Sequence, residues 1–202
     1  MDMIKFKLFF DIEKEEKWLN HMFSKGWVCT NVISGGFYTF KKTDDLEQVI
    51  RIDYQQNLKK EERSNYKQLY EDFGWQALKE KSYDGTYYWV KRKDGNDELF
   101  SDTDSQIAKY KRLMVHSSNW AVLSFIWFMI FNNKFSNLFN IKDAYFTPGL
   151  WDKEGSAFLF SFLFETPFAI MRIIPPWIFL ATCSVYLVMY FRYRKSIQQF
   201  IE

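Results

Sequence analysis

The chain has 202 residues, with 27 Lys and Arg against 25 Asp and Glu and a formal net charge of +2. This length allows one modest domain and a few membrane segments. A nucleic-acid-binding protein usually carries a basic face, because phosphate contacts dominate its affinity, so the balance argues against a nucleic-acid partner. Residues 1–112 hold 20 basic and 20 acidic residues, and residues 113–202 hold only 7 and 5. We therefore expect a polar, neutral N-terminal half and an apolar C-terminal half.

The first forty residues follow the periodicities of a strand, a helix and two more strands. Alternating apolar residues at 6–11 predict the first strand. Asp11 is predicted to cap the helix and Gly26 to end it, with an apolar stripe between them. The stripe comprises Trp18, Leu19, Met22 and Phe23, and the further strands are expected at residues 27–33 and 37–42, joined by a turn at residues 34–36.

The same order of elements recurs in the next fifty residues. Strands are predicted at residues 49–54 and 87–92, with a helix at residues 60–73 between them and a turn at residues 84–85. Gly74-Trp75 follows Gly26-Trp27 by 48 residues, and residues 87–92 match residues 37–42 at an offset of 50. We interpret this as a duplicated strand–helix–strand–strand unit, with repeats at about 4–43 and 47–93. Two copies that join their sheets and place both helices on one face predict an α+β domain over residues 1–100.

The C-terminal half contains two uncharged stretches that are long enough to cross a membrane. Residues 101–131 are predicted to form one helix that Ser101 caps, and its part at 113–131 carries no formal charge. Residues 173–191 are also uncharged, and as a helix they extend over about 28 Å, close to the roughly 30 Å of a bilayer's hydrocarbon core. We expect these stretches to form a transmembrane helical hairpin.

The connection at residues 132–172 is turn-rich and is expected to lie outside the cell. Its apolar part, residues 156–171, is interrupted by Glu165 and Pro167. Because a charge at the bilayer centre is costly, we expect this part to be interfacial or re-entrant. Glu165 and Arg172 share one helical face, and they either mark a functional feature of the membrane segment or anchor a shallow helix.

Basic residues flank both expected spans on the same side of the membrane. Positive residues beside a span favour the cytoplasmic side. We therefore expect a multi-pass protein of the cell membrane whose N-terminus and C-terminal tail, residues 192–202, are cytoplasmic. The flanking residues are Lys109, Lys111 and Arg112 before the first span and Arg192, Arg194 and Lys195 after the second.

The predicted strands are rich in aromatic residues, and these have two interpretations. They either form the core of the domain or line an aromatic groove, on the sheet face away from the helices, for an apolar, cationic or peptide ligand. Tyr38, Tyr88 and Trp89 are the candidate ligand-binding residues under the second interpretation. Asp11 and Asp53 are two further candidates, since the repeats place them at corresponding strand ends, where they could face one cleft and bind a cation. Alternatively, Asp11 caps its helix and Asp53 pairs with a neighbouring Lys or Arg.

The sequence offers little that indicates catalysis or a cofactor. Gly35-Gly36 is isolated and is typical of a turn. The histidines and cysteines lack the spacing of zinc ligands, and no nucleophile–base–acid set stands out. Cys29 and Cys183 are expected to lie in different environments and to form no disulfide. We therefore expect no catalytic residues, no metal, no cofactor and a protein that is not an enzyme.

Several stretches resemble, in order, the bacterial domain-of-unknown-function family 2812. They are KLFFDIEKEEKWLNHMFSKGW, FYTFKK, VIRIDY, EDFGW and ELFSDTDSQIAKYKRL, and the resemblance covers about residues 4–115. It implies a cytoplasmic domain tethered by C-terminal transmembrane helices, often encoded beside PadR-type transcriptional regulators. No established catalytic residues come with this family.

Two functions fit these expectations. The first is a non-enzymatic sensor or regulatory module of membrane signalling, whose cytoplasmic domain binds a ligand or a protein. The alternative is an accessory or immunity-type subunit of a membrane transporter. Expected partners are the lipid bilayer and a protein, either a regulator or a transporter.

Overall fold

The computed structural model describes residues 2–33, 36–56, 58–78, 85–94, 96–100, 102–131 and 141–201. The chain divides into two compact units. We call residues 1–114 with 192–202 the α+β unit, and residues 115–191 the helical unit. The turn predicted at 34–36, the turn at 84–85 and the cap at Ser101 fall wholly or partly outside the described residues.

The described elements include six strands and four α-helices. Their order confirms an α+β chain with long C-terminal helices. The strands are β1 (Asp2–Phe6), β2 (Trp27–Ile33), β3 (Phe37–Lys42), β4 (Gln48–Tyr54), β5 (Gln76–Ala77) and β6 (Thr86–Arg92), and the helices are α1 (Ile12–Ser24), α2 (Lys60–Asp72), α3 (Thr103–Phe131) and α4 (Gly155–Ile201).

The strands form two antiparallel three-stranded sheets, in the orders β1-β3-β2 and β4-β6-β5. The expected single joined sheet is therefore wrong for the described residues. In each sheet, the backbone N–H of the residue after the first strand donates a hydrogen bond to the glycine before the central strand. Lys7 N donates to Gly36 O at 2.8 Å in the first sheet, and Gln55 N donates to Gly85 O at 2.8 Å in the second. Both glycines have positive φ, and a Cβ on Gly36 would lie 2.5 Å from Lys7 O, so this turn requires glycine.

The first strand lies earlier than the alternation at residues 6–11 predicted. β1 pairs with β3 only as far as Phe6, which lies opposite Phe37. After the Lys7–Gly36 hydrogen bond the chain leaves the sheet and enters α1. The alternating Phe6, Leu8 and Phe10 are all exposed, so their spacing does not mark a buried strand face.

Helix α1 connects the two sheets. Its apolar stripe packs on the first sheet, while its polar side chains form hydrogen bonds with backbone N–H and C=O groups at the outer edge of β4. Asn20 Nδ2 donates to Ile50 O at 2.9 Å, Ile50 N donates to Asn20 Oδ1 at 3.0 Å, and Ile52 N donates to Glu16 Oε2 at 2.8 Å. An open strand edge is thereby covered by a helix. The core around α1 contains Leu19, Met22, Phe23, Cys29, Val32, Tyr38, Phe40, Ile50, Ile52 and Tyr88.

The other face of the second sheet forms a separate core with α2. Because strand residues alternate between faces, Tyr87 and Trp89 point towards α2, whereas Tyr88 points into the core around α1. Tyr38 packs against its own helix through Trp18, and Tyr87 does so through Tyr66. Tyr38 and Tyr87, which are 49 residues apart, thus each pack on a helix of their own half of the α+β unit. The second core contains Val49, Tyr70, Trp75, Tyr87 and Trp89.

Helix α3 has the predicted extent, whereas helix α4 extends beyond the predicted span at residues 173–191 at both ends. Helix α3 begins at Thr103 and ends at Phe131, as expected, and Asp102 Oδ2 accepts a hydrogen bond from Ser105 N at 2.8 Å. Helix α4 has 47 residues and contains Pro167, Pro175 and Pro176, so residues 156–171 and 173–191 belong to one continuous helix.

Helices α3 and α4 are both long and apolar enough to cross a membrane. Only 28% and 17% of their most apolar stretches are buried within the protein. Apolar surface that the protein itself does not cover favours an apolar surrounding. In the helical unit the two helices contact each other through stacked rings, among them Trp120 on Tyr186 and Trp127 on Phe179.

Candidate functional site

Asp11 lies at the start of α1, where it meets the C-terminal part of α4. Its Oδ1 accepts a hydrogen bond from Glu13 N at 3.0 Å, which confirms the predicted N-cap. Its Oδ2 is paired with the Arg192 guanidinium, and Arg192 also contacts Glu13 Oε2 at 3.0 Å. Tyr110 of α3 donates to Glu13 Oε1 at 2.7 Å. The first turn of α1 is thus bound by both long helices.

Asp53 lies inside β4 and is fully buried. Its Oδ1 is 3.1 Å from Nη2 of Arg112, which is on α3 and also donates through Nε to Tyr54 O at 2.7 Å. Its Oδ2 accepts hydrogen bonds from the Tyr66 hydroxyl at 2.8 Å and from Gln55 Nε2 at 3.0 Å. The interpretation that Asp53 pairs with an arginine is confirmed.

The two carboxylates do not occupy corresponding positions. Asp11 follows β1 and caps a helix, whereas Asp53 is a strand residue and Lys59 is the N-cap of α2. The connections from β1 to α1 and from β4 to α2 are equally long, so the expected longer lead into the second helix is wrong, and Asp11 and Lys59 are 48 residues apart like Gly26 and Gly74. The common feature of Asp11 and Asp53 is a buried carboxylate held by an arginine of a long helix. A ligand for this pair stays a prediction.

Three aromatic candidates lie in the cores, and two of them share one acceptor. The hydroxyls of Tyr38 and Tyr88 each donate to Glu15 Oε1 at 2.7 Å, and Glu15 is itself buried on α1. Trp89 Nε1 donates to the Tyr66 hydroxyl at 3.3 Å and is fully buried. Sequence reasoning missed Glu15, although it precedes Leu19 by four residues and so lies on the apolar stripe of α1.

Tyr66 and Tyr70 surround Trp89 on the α2 side of the second sheet. Their ring centroids lie 5.7 and 4.8 Å from the indole. Burial, reinforced by the charge of Asp53, raises the pKa of both hydroxyls well above 10. Tyr66 therefore keeps its proton at neutral pH and remains a hydrogen-bond donor to Asp53.

Glu16 is a second acidic residue of α1 at the junction of the sheets. Besides its bond to Ile52 N, its Oε1 lies 3.3 Å from Arg51 Nη1. Burial raises the pKa of Glu16 above its ordinary 4.5, although Lys109, the Ile52 amide and Arg51 act in the opposite direction. Desolvation of the charged form is the stronger effect here.

We expect this shift to be visible in the pH dependence of stability. The folded protein holds the Glu16 proton more tightly than the unfolded chain, so its stability should decrease as pH rises from 4.5 through the raised pKa. Glu16→Gln keeps an acceptor for Ile52 N and should remove this decrease. Thermal unfolding of the full chain in detergent micelles at several pH values measures the effect. Glu61→Gln, at an exposed site on α2, is the matched control, and equal slopes in the two variants would contradict the assignment.

The helical unit contains its own polar cluster around Glu165. Arg172 Nη1 lies 2.7 Å from Glu165 Oε1 and 2.7 Å from Ala144 O. Thr147 Oγ1 donates to Glu165 Oε2 at 2.6 Å, and the Phe146 ring lies under the guanidinium, 3.9 Å from ring centroid to Cζ. The pair thus fastens residues 144–147 to α4, which satisfies both charges within the unit.

Within the described ranges no group of three or more His, Cys, Asp or Glu side chains could hold a metal ion. The cysteine thiols Cys29 and Cys183 are both buried.

One family model matches residues 11–126, which is more than half of the chain, and its description is "Protein of unknown function (DUF2812)". The match runs from the cap of α1 into α3 and includes Asp53 and Arg112. No curated protein matches the chain, and no solved structure does.

Proposed function

Since the chain belongs to the DUF2812 family, whose function is unknown, we propose its role from its geometry: an integral membrane protein with a cytoplasmic, non-enzymatic regulatory module. In this proposal the α+β unit binds a ligand or a protein. Its state then reaches the membrane through α3 and α4.

The observation that carries this proposal is the pair of arginine contacts at the ends of the two apolar stretches. Arg112 immediately precedes the uncharged residues 113–131, and Arg192 immediately follows residues 173–191. Each arginine binds a buried carboxylate of the α+β unit, Asp53 or Asp11. A ligand that shifts β4 or the start of α1 must therefore move the end of a long helix or separate a buried carboxylate from its half-buried arginine. Leaving a buried carboxylate without its partner is unfavourable, so the ion pairs favour joint movement of the ligand-binding part and the helix.

The membrane topology in the proposal follows from the apolar surface and the flanking charges. Exposed apolar residues cover both long helices, and basic residues lie at Lys109–Arg112 and at Arg192–Lys195. Both clusters favour the cytoplasmic side, so the two helices form a hairpin with both chain ends inside. The continuous α4 has more residues than one span needs, and its Glu165 cluster then lies towards the outer surface, where charges are tolerated.

We further propose that the α+β unit arose by duplication. Support comes from the corresponding strand order of the two sheets, from Gly26 and Gly74 with positive φ after the two helices, and from the equivalent backbone bonds Lys7 N–Gly36 O and Gln55 N–Gly85 O. In this view the copies diverged by placing the two helices differently, since α1 lies along the edge of β4.

A labelling experiment tests the topology. Glu61→Cys, Glu154→Cys and Gln198→Cys introduce cysteines at exposed positions of α2, of the residue before α4, and of the end of α4. A membrane-impermeant maleimide applied to intact cells should label only the Glu154→Cys protein, while permeabilised cells should label all three. The native Cys29 and Cys183 are buried and should react slowly. Labelling of Gln198→Cys in intact cells would contradict the hairpin.

The coupling is tested with spin labels on Glu61→Cys and Gln198→Cys in the full chain in nanodiscs. We expect one narrow distance distribution, which Arg192→Gln should broaden because it releases α4 from Asp11. Arg194→Gln removes a neighbouring exposed charge and serves as the control. An unchanged distribution in Arg192→Gln would contradict the coupling. If the labelling supports the hairpin but the spin labels show no coupling, the transporter-subunit function is the one to test next.

A further inference from the structure

A cleft of about 250 Å³ opens in the α+β unit between α2, β6 and the segment that leads into α3. Four aromatic rings line it: Tyr70 and Phe73 from the last turn of α2 and the residue after it, Trp75 beyond the helix, and Phe100 from the segment before α3. Phe73 is 65% exposed, so its ring is available to an occupant. The volume lies just below the roughly 300–1,000 Å³ of drug-sized sites, which restricts the occupant to a small molecule.

The cleft already accommodates one ammonium group of the protein. Lys91 Nζ lies 5.7 Å from the centroid of the Trp75 ring, within the range of a cation–π contact. The same ammonium is neutralised by Asp94 Oδ2 at 2.8 Å and contacts Asn96 O at 3.5 Å. The aromatic wall thus tolerates a cation, and the lysine adds little net charge to the site.

The remaining charges of the lining are acidic. Glu98 lies at the rim with 71% of its side chain exposed, 3.5 Å from Arg51 Nη2. Asp102 lies at the start of α3, where the Ser105 backbone N–H lowers the pKa of its carboxyl below the ordinary 3.8. Two further cations lie beside the lining: Arg51 at Glu98, and Lys109, whose Nζ is 5.8 Å from the centroid of the Phe100 ring. The carboxylates of Asp94, Glu98 and Asp102 are thus balanced in number by Lys91, Arg51 and Lys109. Aromatic faces attract organic cations, and the rings of Trp75 and Phe100 each already have an ammonium group beside them.

We propose that this cleft binds a small organic cation, an ammonium group carried on an aromatic or aliphatic body. The body packs between Tyr70, Phe73 and Phe100, and the ammonium faces Glu98 and Asp102. The inference rests on the proposed function in one respect: it names the ligand class of the regulatory module.

Two sets of residues connect the cleft with the Asp53–Arg112 ion pair. Phe100 and Asp102 lead directly into α3, which carries Arg112. Tyr70 packs on Trp89 with centroids 4.8 Å apart, Trp89 donates to Tyr66, and Tyr66 donates to Asp53. An occupant that moves Tyr70 or the start of α3 therefore acts on the Asp53–Arg112 pair.

Isothermal titration calorimetry on the full chain in nonionic detergent micelles tests the site. The probe is benzyltrimethylammonium, with phenylacetate as its anionic and benzyl alcohol as its neutral counterpart, each titrated also into empty micelles. We expect the cation to bind measurably and the other two to bind at least tenfold more weakly. Equal binding of phenylacetate, or no heat with the cation, would overturn the proposal.

Two exposed residues supply the variants, so folding should be retained. Phe73→Ala and Glu98→Gln should each weaken binding of the cation about threefold to tenfold, as expected for the loss of one cation–π or charge contact. Phe10→Ala and Glu47→Gln change exposed residues of the same types away from the cleft and should leave the affinity unchanged. Unchanged affinity in both cleft variants would overturn the site.

A second readout separates this inference from the proposed function. Spin labels on Glu61→Cys and Lys111→Cys report the position of α3 relative to α2 in the full chain. Binding with a shifted distance supports both the site and the regulation. Binding without a shift supports the site and counts against the regulatory coupling.

Discussion

Replacing Asp53 with alanine is expected to lower the free energy of unfolding of the α+β unit by about 3 kcal/mol, the lower end of the range for breaking a buried ion pair. Asp53 is fully buried, whereas the side chain of Arg112 is 27% exposed, so water compensates part of the loss. The variant also leaves the Tyr66 hydroxyl and Gln55 without their acceptor. Urea denaturation of the full chain in detergent micelles, followed by hydrogen exchange of β4 amides, measures the change.

A double-mutant cycle separates the ion pair from the other contacts of Asp53. Arg112→Met keeps much of the arginine's apolar length, and the double variant should be clearly more stable than the sum of the two single changes predicts. Asp72→Ala, at the exposed end of α2, should change stability by less than about 0.5 kcal/mol. Strict additivity in the cycle would show that the two residues do not interact.

Replacing Trp89 with alanine is expected to cost about 3–5 kcal/mol, the range for truncating a large buried aromatic residue. The indole is fully buried, packs between Tyr66 and Tyr70, and loses its hydrogen bond to the Tyr66 hydroxyl. The same urea denaturation measures this loss. A residue that lined an open ligand groove would instead be replaceable at little cost.

Two further variants serve as references for the stability loss in Trp89→Ala. Trp89→Phe retains a ring and should cost less than Trp89→Ala, since a smaller cavity remains. Phe73→Ala removes an exposed ring and should change the free energy of unfolding by less than about 0.5 kcal/mol. A loss for Trp89→Ala as small as that for Phe73→Ala would contradict its place in the core.

Local signals in the sequence predicted the elements well. Asp11 as a cap and Gly26 and Gly74 as helix ends follow from backbone chemistry within a few residues, and all three are confirmed. The strand faces were harder to predict. Tyr87, Tyr88 and Trp89 are consecutive and all buried, because both faces of the second sheet are covered. Period-two alternation then carries no information about which side a residue faces.

Contacts between distant residues could not be predicted from the pattern. Arg112 and Arg192 were interpreted only as basic residues that flank a span, and their carboxylate partners lie 59 and 181 residues away along the chain. Glu15 was passed over for a related reason, since the two tyrosines that bind it come from different sheets. A charged residue on an apolar helix stripe is the signal that would have found it, because such a residue needs a buried partner.

The α+β unit consists of two separate stretches of the chain, residues 1–114 and 192–202. Its two arginine–carboxylate pairs can therefore form only one after the other during translation. The carboxylate of Asp53 gains its partner once Arg112 has emerged, but that of Asp11 must wait for Arg192, 80 residues later. At about 5–20 residues per second this delay lasts roughly 4–16 s. During that time the first turn of α1 lacks Arg192, its contact with α4. Arg192 at the end of the second apolar stretch therefore completes a contact that Asp11 begins.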